Sequence, residues 1–433
     1  MKRSISIILA LLCTSGAFAQ ENKPQIKLYG FIRNYYALDT RESISGTEEF
    51  FYYTPKDVLE GSEGEDLNEH VNYRFAALTS RLGVDVLGYE FKGWKMGAKI
   101  EADFYNGLAK TSNEPSGASV SGTALFRLRQ AYATVSNGIW SFKAGQAWHP
   151  MAADMPDVFS LNSGSPFGPF SRTPLVSMDV KLAEGLSLTA ATIWQMQYQS
   201  TGPYGASAIY MRNGGYELYG GLNYTTGGLL LRAGVDVLSI VPRYTVGDKK
   251  VNERLTTVSP FFYAQYKNGN FTAKFKTIYA QAGEHLGLNG GYGVKEVNSD
   301  GSYEYTPSMN SSSWLSLQYA ANSWQYILFG GYSKNFGTKD KLAAGLIGDL
   351  IGKPIGYWFS KNSYTDGRLD SMWRITPTVI KNFGRLSLGL ECEITSASYG
   401  DVSKGMNLEK GLYDKGIHSV TNYRVQGLLK FTF

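Results

Sequence analysis

Long stretches of the chain alternate between apolar and polar side chains. In 94–104 one parity reads Trp, Met, Ala, Ile, Ala, Phe and the other Lys, Gly, Lys, Glu, Asp. A period of two over such a length predicts a β-strand with one apolar and one wet face. Two kinds of connection separate these stretches. Short ones, rich in the Gly and Asn that tolerate positive φ, stand at 91–93, 136–138, 183–185, 226–228, 267–269, 321–322 and 381–384. Longer polar segments alternate with them, near 39–70, 107–122, 148–172, 199–213, 242–256, 283–310, 336–370 and 398–417. Seven short turns make seven hairpins. With a first strand at 26–38 and a closing strand at 418–433, the pattern predicts sixteen strands.

A soluble sandwich also alternates, so strand length and aromatic placement decide. The strands reach the ~9–11 residues that a tilted membrane strand needs. Their apolar face is rich in aromatics, which suits two interfacial girdles. The composition agrees: 433 residues carry Tyr 30, Phe 22 and Trp 8, and charged residues are only 18%. No stretch after residue 20 approaches the ~20 apolar residues of a membrane helix. A net charge of +5 without any Lys/Arg block argues against nucleic acid as a partner. The expected fold is therefore all-β: a transmembrane antiparallel up-and-down β-barrel of about sixteen strands in outer-membrane lipid. Short turns would face the periplasm and long loops the exterior, with both termini periplasmic.

Residues 1–19 read as a signal peptide: basic Lys2 and Arg3, apolar Ile5 to Leu12, and a small-x-small cleavage site at Ala17-Phe18-Ala19. Residues 20–433 would then be the barrel. Leu11 and Leu12 stand before Cys13 where a lipoprotein box needs small residues, so lipidation is not expected. Cleavage leaves Cys392 as the lone cysteine, without an internal disulfide. In the last strand Tyr423, Val425, Gly427, Leu429, Phe431 and Phe433 share one parity, and Arg424, Gln426, Lys430 and Thr432 the other. An alternating strand that ends in Phe resembles the signal read by the barrel assembly machinery, an expected partner.

Sixteen strands leave an aqueous lumen rather than a packed interior. Charges on the wet parity should line it at mid-membrane height. These are Arg33, Arg81, Lys99, Glu101, Asp103, Arg127, Arg129 and Arg424, with Phe126, Leu128 and Tyr132 turned outward. The segment 148–172 stands apart, carrying His149, Asp154, Asp157, Phe159, Phe167, Phe170 and four prolines. A loop of that length and composition is expected to fold against something. Dropped into the barrel as a constriction loop, it would set Asp154 and Asp157 opposite the basic wall. The transverse field would filter solutes by charge.

The same inspection gives little chemistry. His70, His149, His285 and His418 lie in loops or at loop edges, and no Gly-x-Ser-x-Gly stands beside a strand-to-helix transition. No two histidines are close in sequence, so neither an enzyme, a metal site nor a cofactor is expected. Two other readings remain open. The long loops 283–310 and 336–370 suit an adhesive or structural barrel. An inward aromatic ladder would mark a substrate-specific sugar or organic-acid channel. Tyr29, Tyr35 and Trp148 are candidates for that ladder, although an interfacial girdle or a subunit contact is the favoured placing for them.

Leu28-Tyr29-Gly30-Phe31-Ile32-Arg33, Ser80-Arg81-Leu82-Gly83, Gly97-Ala98-Lys99-Ile100-Glu101-Ala102-Asp103-Phe104, Arg127-Leu128-Arg129-Gln130-Ala131-Tyr132 and Ala144-Gly145-Gln146-Ala147-Trp148 follow in order. Their order and spacing resemble the DcaP-like family of trimeric Gram-negative outer-membrane porins. The likeness covers about residues 26–182. It implies an outer-membrane porin for passive diffusion of small hydrophilic, anionic solutes, with Arg33, Arg81, Arg127, Arg129 and the loop 148–172 at the pore. It also implies a homotrimer. Some members carry a periplasmic coiled coil before the barrel. Here only about six residues separate Gln20 from the first strand, so the wall itself would hold the trimer through small outward residues such as Gly30, Ala98 and Ala102.

Overall fold

The computed structural model describes residues 24–46, 50–77, 79–105, 125–196, 214–343 and 367–433. The expected leader, the loop near 107–122, the loop at 199–213 and much of that at 336–370 lie outside the described residues.

Sixteen strands form the body. They are β1 Gln25–Asp39, β2 Asn72–Ala76 continuing as Arg81–Phe91, β3 Trp94–Tyr105, β4 Leu125–Ser136, β5 Trp140–Trp148, β6 Arg172–Ala183, β7 Leu186–Ile193 and β8 Tyr216–Thr226. The second half comprises β9 Leu229–Ile240, β10 Leu255–Asn268, β11 Phe271–Gln281, β12 Tyr303–Ala321, β13 Trp324–Thr338, β14 Leu369–Phe383, β15 Leu386–Tyr399 and β16 His418–Thr432. Each pairs antiparallel with its sequence neighbours. β1 closes the ring: one edge pairs with β16, from Phe31 opposite Thr432 to Asp39 opposite Arg424, and the other with β2. Closure leaves no strand edge unpaired, which the hydrocarbon of a bilayer demands. Among the described residues no helix is long and apolar enough to cross a membrane.

All seven short turns fall where the Gly and Asn clusters put them, and each holds a residue at positive φ, such as Lys92 and Gly93 or Asn322 and Ser323. The segment 283–310 is more ordered than its polarity suggests. Tyr292–Val297 pairs with the start of β12, and Tyr292 packs edge-on against Tyr305. The hairpin thus rises beyond the wall, and β12 starts seven residues before the expected loop ends.

The outer surface is apolar. Along β13, Tyr326, Leu328, Tyr332 and Phe336 face out while Ile327 and Phe329 are buried inside. Aliphatic residues such as Leu82, Ile100, Leu128 and Leu222 make a middle belt. Aromatics crowd the two rims: Phe91, Trp140, Tyr266 and Trp324 near the short turns, Tyr73, Phe75, Phe126 and Tyr423 near the long loops. An aliphatic band between aromatic girdles is the outer face of a membrane barrel.

One departure from strict alternation shapes the inside. The register between β3 and β4 shifts after Glu101, which faces Gln130, whereas Ala102 faces Leu128. Arg129 is the extra residue of a β-bulge. Such a bulge turns two consecutive side chains to one face and reverses the parity beyond it. Arg129 and Gln130 therefore both point inward, each bonded to Glu101. Tyr132, expected outward, points inward and packs on the buried cluster.

Candidate functional site at the inner loop

Residues 149–171, between β5 and β6, lie inside the barrel and are tied to the wall along their length. Lys276 of β11 donates to the carbonyls of Met151 (2.8 Å) and Asp154 (2.5 Å). Asp154 pairs with Arg232 at 3.1 Å and Asp157 with Lys274 at 2.5 Å. The loop then crosses the lumen. Glu391 of β15 accepts the Phe159 and Ser160 N–H groups at 3.0 and 3.1 Å, and Glu393 accepts from the Asn162 amide at 2.8 Å. Tyr35 of β1 donates to the Phe159 carbonyl at 3.0 Å. Phe167, fully buried, sits in a gap left by Gly331, where a Cβ would come within 2.4 Å of its ring.

Between this loop and the wall of β1–β6 lies a cavity of about 480 Å³. Arg33, Arg81, Arg127, Arg129, Arg172 and Lys430 line it. Strand pairing explains the grouping: β2, β3, β4 and β5 are consecutive, and β16 closes against β1. The wall also carries its own acids. Arg127 grips Asp103 with two bonds of 3.0 Å, and Arg129 bridges Glu101 (2.9 Å) and Asp103 (2.7 Å). Arg81 reaches Glu101 at 3.5 Å. Arg33 and Lys430 make no ion pair among the described residues. Arg33 donates to Thr79 Oγ1 at 2.8 Å and lies over the rings of Phe31 and Tyr35. Aromatic faces hold a guanidinium in place without neutralising it.

Several expected residues do other work. Arg424, expected in the basic wall, is fully buried and held by Asp39 at 2.7 and 3.0 Å, under the inward hairpin Ser43–Gly46 with Phe51–Pro55. Tyr52 of that hairpin lies across both Arg424 and Arg374. Burial pushes its hydroxyl up to about 12, against the pull of the two guanidinium groups. Lys99 serves Asp85 (2.8 Å) and the Tyr29 hydroxyl (2.9 Å). Asp154 and Asp157 do not engage the Arg33–Arg129 wall; their partners Arg232 and Lys274 stand on β9 and β11. The loop enters the lumen beside those strands, so its first acids meet the nearer bases. Tyr29, Tyr35 and Trp148 face inward rather than the interfaces: Tyr29 donates to Glu101, and Tyr35 and Trp148 line the cavity.

Sequence reasoning passed over Arg172, Lys430, Arg232, Lys274 and Lys276. Lys430 shares the wet parity of Arg424, and that signal was sufficient to include it. Arg172 opens a strand after a loop whose path no pattern reveals.

A closed sixteen-stranded barrel with an apolar belt, aromatic girdles and a loop folded into its lumen has the architecture of an outer-membrane porin. No family model and no curated protein matches the chain. Solved structures do. The outer membrane channel DcaP of Acinetobacter baumannii superposes with a TM-score of 0.63 at 17% identity, covering 96% of this chain and 99% of that one. The anion-selective porin from Comamonas acidovorans gives 0.53 at 13% identity over 95% and 100%. OmpT of Vibrio cholerae gives 0.53 at 10% identity over 96% and 99%. At these identities the likeness is one of fold.

Proposed function

We propose that the protein is a passive diffusion porin for small hydrophilic solutes, and that its constriction favours anions. Residues 1–19 act as the export signal, residues 20–433 as the porin, and the inner loop as the constriction. One observation carries the reading: six cationic side chains line the cavity, and two of them, Arg33 and Lys430, make no ion pair among the described residues. A permeating anion meets Arg33, Arg81, Arg127 and Arg129 at one narrow level, while Glu101 and Asp103 are engaged by those same bases. Anion selectivity is also what the name of the Comamonas acidovorans neighbour states for that porin. The test is the reversal potential of single channels in a KCl gradient, expected to carry the sign of anion preference.

The protein works as a homotrimer joined through the wall near β1 and β16. A trimer form of Vibrio cholerae OmpT supports this, as does the small outward residue Ala98. Native mass measurement in mild detergent should give three copies, and a monodisperse monomer would refute it. A second reading, a channel selective for organic acids, is favoured by the aromatics Phe31, Tyr35 and Trp148 among the cavity's arginines. Concentration-dependent block of chloride current by an aromatic carboxylate, and not by a sugar, would establish it.

A further inference from the structure

Where the inner loop leaves the wall, two histidines distant in sequence meet. His149 is the first residue of the loop. His285 stands in the short turn Gly283–Leu286 after β11. Both Nε2 atoms converge on Glu217 of β8 and Asp236 of β9. His149 Nε2 lies 2.9 Å from Glu217 Oε1 and 3.5 Å from Asp236 Oδ1. His285 Nε2 lies 3.4 Å from Asp236 Oδ2 and 3.8 Å from Glu217 Oε1. All four side chains are at most 1% exposed. Among the described residues Asp236 Oδ1 accepts no hydrogen bond and has only the long His149 contact. A buried carboxylate oxygen left without a donor is costly, so the cluster calls for a further positive centre.

Two imidazole nitrogens and two carboxylate oxygens form a donor set suited to zinc and its neighbours. Bonds of about 2.1 Å in a tetrahedron set the ligand atoms about 3.4 Å apart. One ligand atom each of His149, Glu217 and Asp236 lies within 4.8 Å of the others, and His285 Nε2 stands beside this trio, 3.4 Å from Asp236 Oδ2 and 3.8 Å from Glu217 Oε1. His285 Nδ1 stands 3.1 Å from the Ala282 carbonyl and donates to it, which leaves the Nε2 lone pair for the centre. That outer bond is the usual orientation device of a ligating imidazole. His149 Nδ1 accepts the Met151 N–H at 3.2 Å. Ligation through its Nε2 moves that ring's proton to Nδ1 and gives up the Met151 contact.

We propose that His149, Glu217 and Asp236, with His285 beside them, form a buried structural site for one divalent transition-metal ion of the zinc type. Side chains this deeply buried leave a substrate no way to the ion, so the ion fastens rather than catalyses. It joins the start of the inner loop to β8, β9 and the turn after β11, and so fixes where the constriction begins. The inference does not depend on which solutes pass.

The test uses tag-free full-length protein, because an affinity tag would bind metal. The barrel is refolded with excess Zn²⁺ or Co²⁺, desalted, and analysed for bound metal and visible absorption. Folding is checked by heat-modifiable gel migration. About one ion per chain is expected, with the intense visible bands of four-coordinate cobalt. The isosteric pair Glu217→Gln with Asp236→Asn should retain less than about a tenth of that metal. If this pair does not fold, His285→Gln takes its place. Wild-type protein holding less than about a tenth of an ion, a weak six-coordinate cobalt spectrum, or equal metal in a folded variant would overturn the proposal.

Discussion

Neutralising Arg33 and Lys430 together, as Arg33→Gln with Lys430→Gln, is the most direct test of the charged constriction. Both side chains line the cavity and neither pairs with a carboxylate among the described residues, so their removal strips charge without orphaning a described buried acid. Arg127→Ala with Arg129→Ala also removes two charges, but it takes both arginine partners from the buried Asp103, a change that costs about 3–5 kcal/mol and confounds the measurement. A monovalent anion about 5 Å from a cation in watery surroundings gains about 0.8 kcal/mol. Screening at 0.1 M salt, where the Debye length is about 10 Å, reduces this to about 0.5 kcal/mol per charge. Two charges then amount to about 1 kcal/mol, or about a five-fold loss of anion partitioning. At 1 M the Debye length is about 3 Å and the loss should shrink below about two-fold. The assay is the reversal potential of single channels across a KCl gradient, at both mean concentrations. A cation-selective wild type would refute the reasoning. So would an unchanged double variant at low salt, or a difference that survives undiminished at high salt.

Two further outcomes follow from the packing. Gly331→Val should unseat Phe167, costing about 1–3 kcal/mol as overpacking and raising single-channel conductance; a folded variant with unchanged conductance would show that Phe167 does not hold the loop across the lumen. Cys392 shares the outward parity of Leu388 and Leu390, which are among the exposed residues of the wall. A membrane-impermeant charged thiol reagent should therefore label it poorly in intact membranes, and rapid labelling would place β15 one residue out of register.

The fold was legible because its rules are local. A period of two, a turn residue at positive φ and a closing aromatic strand each act within a few residues, and together they specify sixteen strands and the direction of most side chains. The exceptions mark where local rules end. Tyr132 was misplaced because a bulge adds one residue, and nothing in Arg127-Leu128-Arg129-Gln130 announces it. Arg424 lies on the parity that its strand predicts. What escaped notice was Asp39 directly across the closing pair, an acid that only the β1–β16 register brings opposite it. The partners of Asp154 and Asp157 depend on the path of a loop, for which sequence offers composition but no direction. The four residues of the cluster at His149 come from four separate segments, so no spacing rule could assemble them.

The inner loop's ties also bear on the order in which the protein can be made. Phe159 and Asn162 are held by Glu391 and Glu393, more than 230 residues further along the chain. Contacts of such separation carry a large closure entropy and form late. The loop cannot settle until β14 and β15 stand in the wall, so the lumen narrows only as the ring is completed. A nascent barrel short of those strands is a wider hole than the finished one. If the protein acts as the proposed porin, truncation near β14 or Glu391→Ala should give a leaking membrane rather than a mere loss of transport.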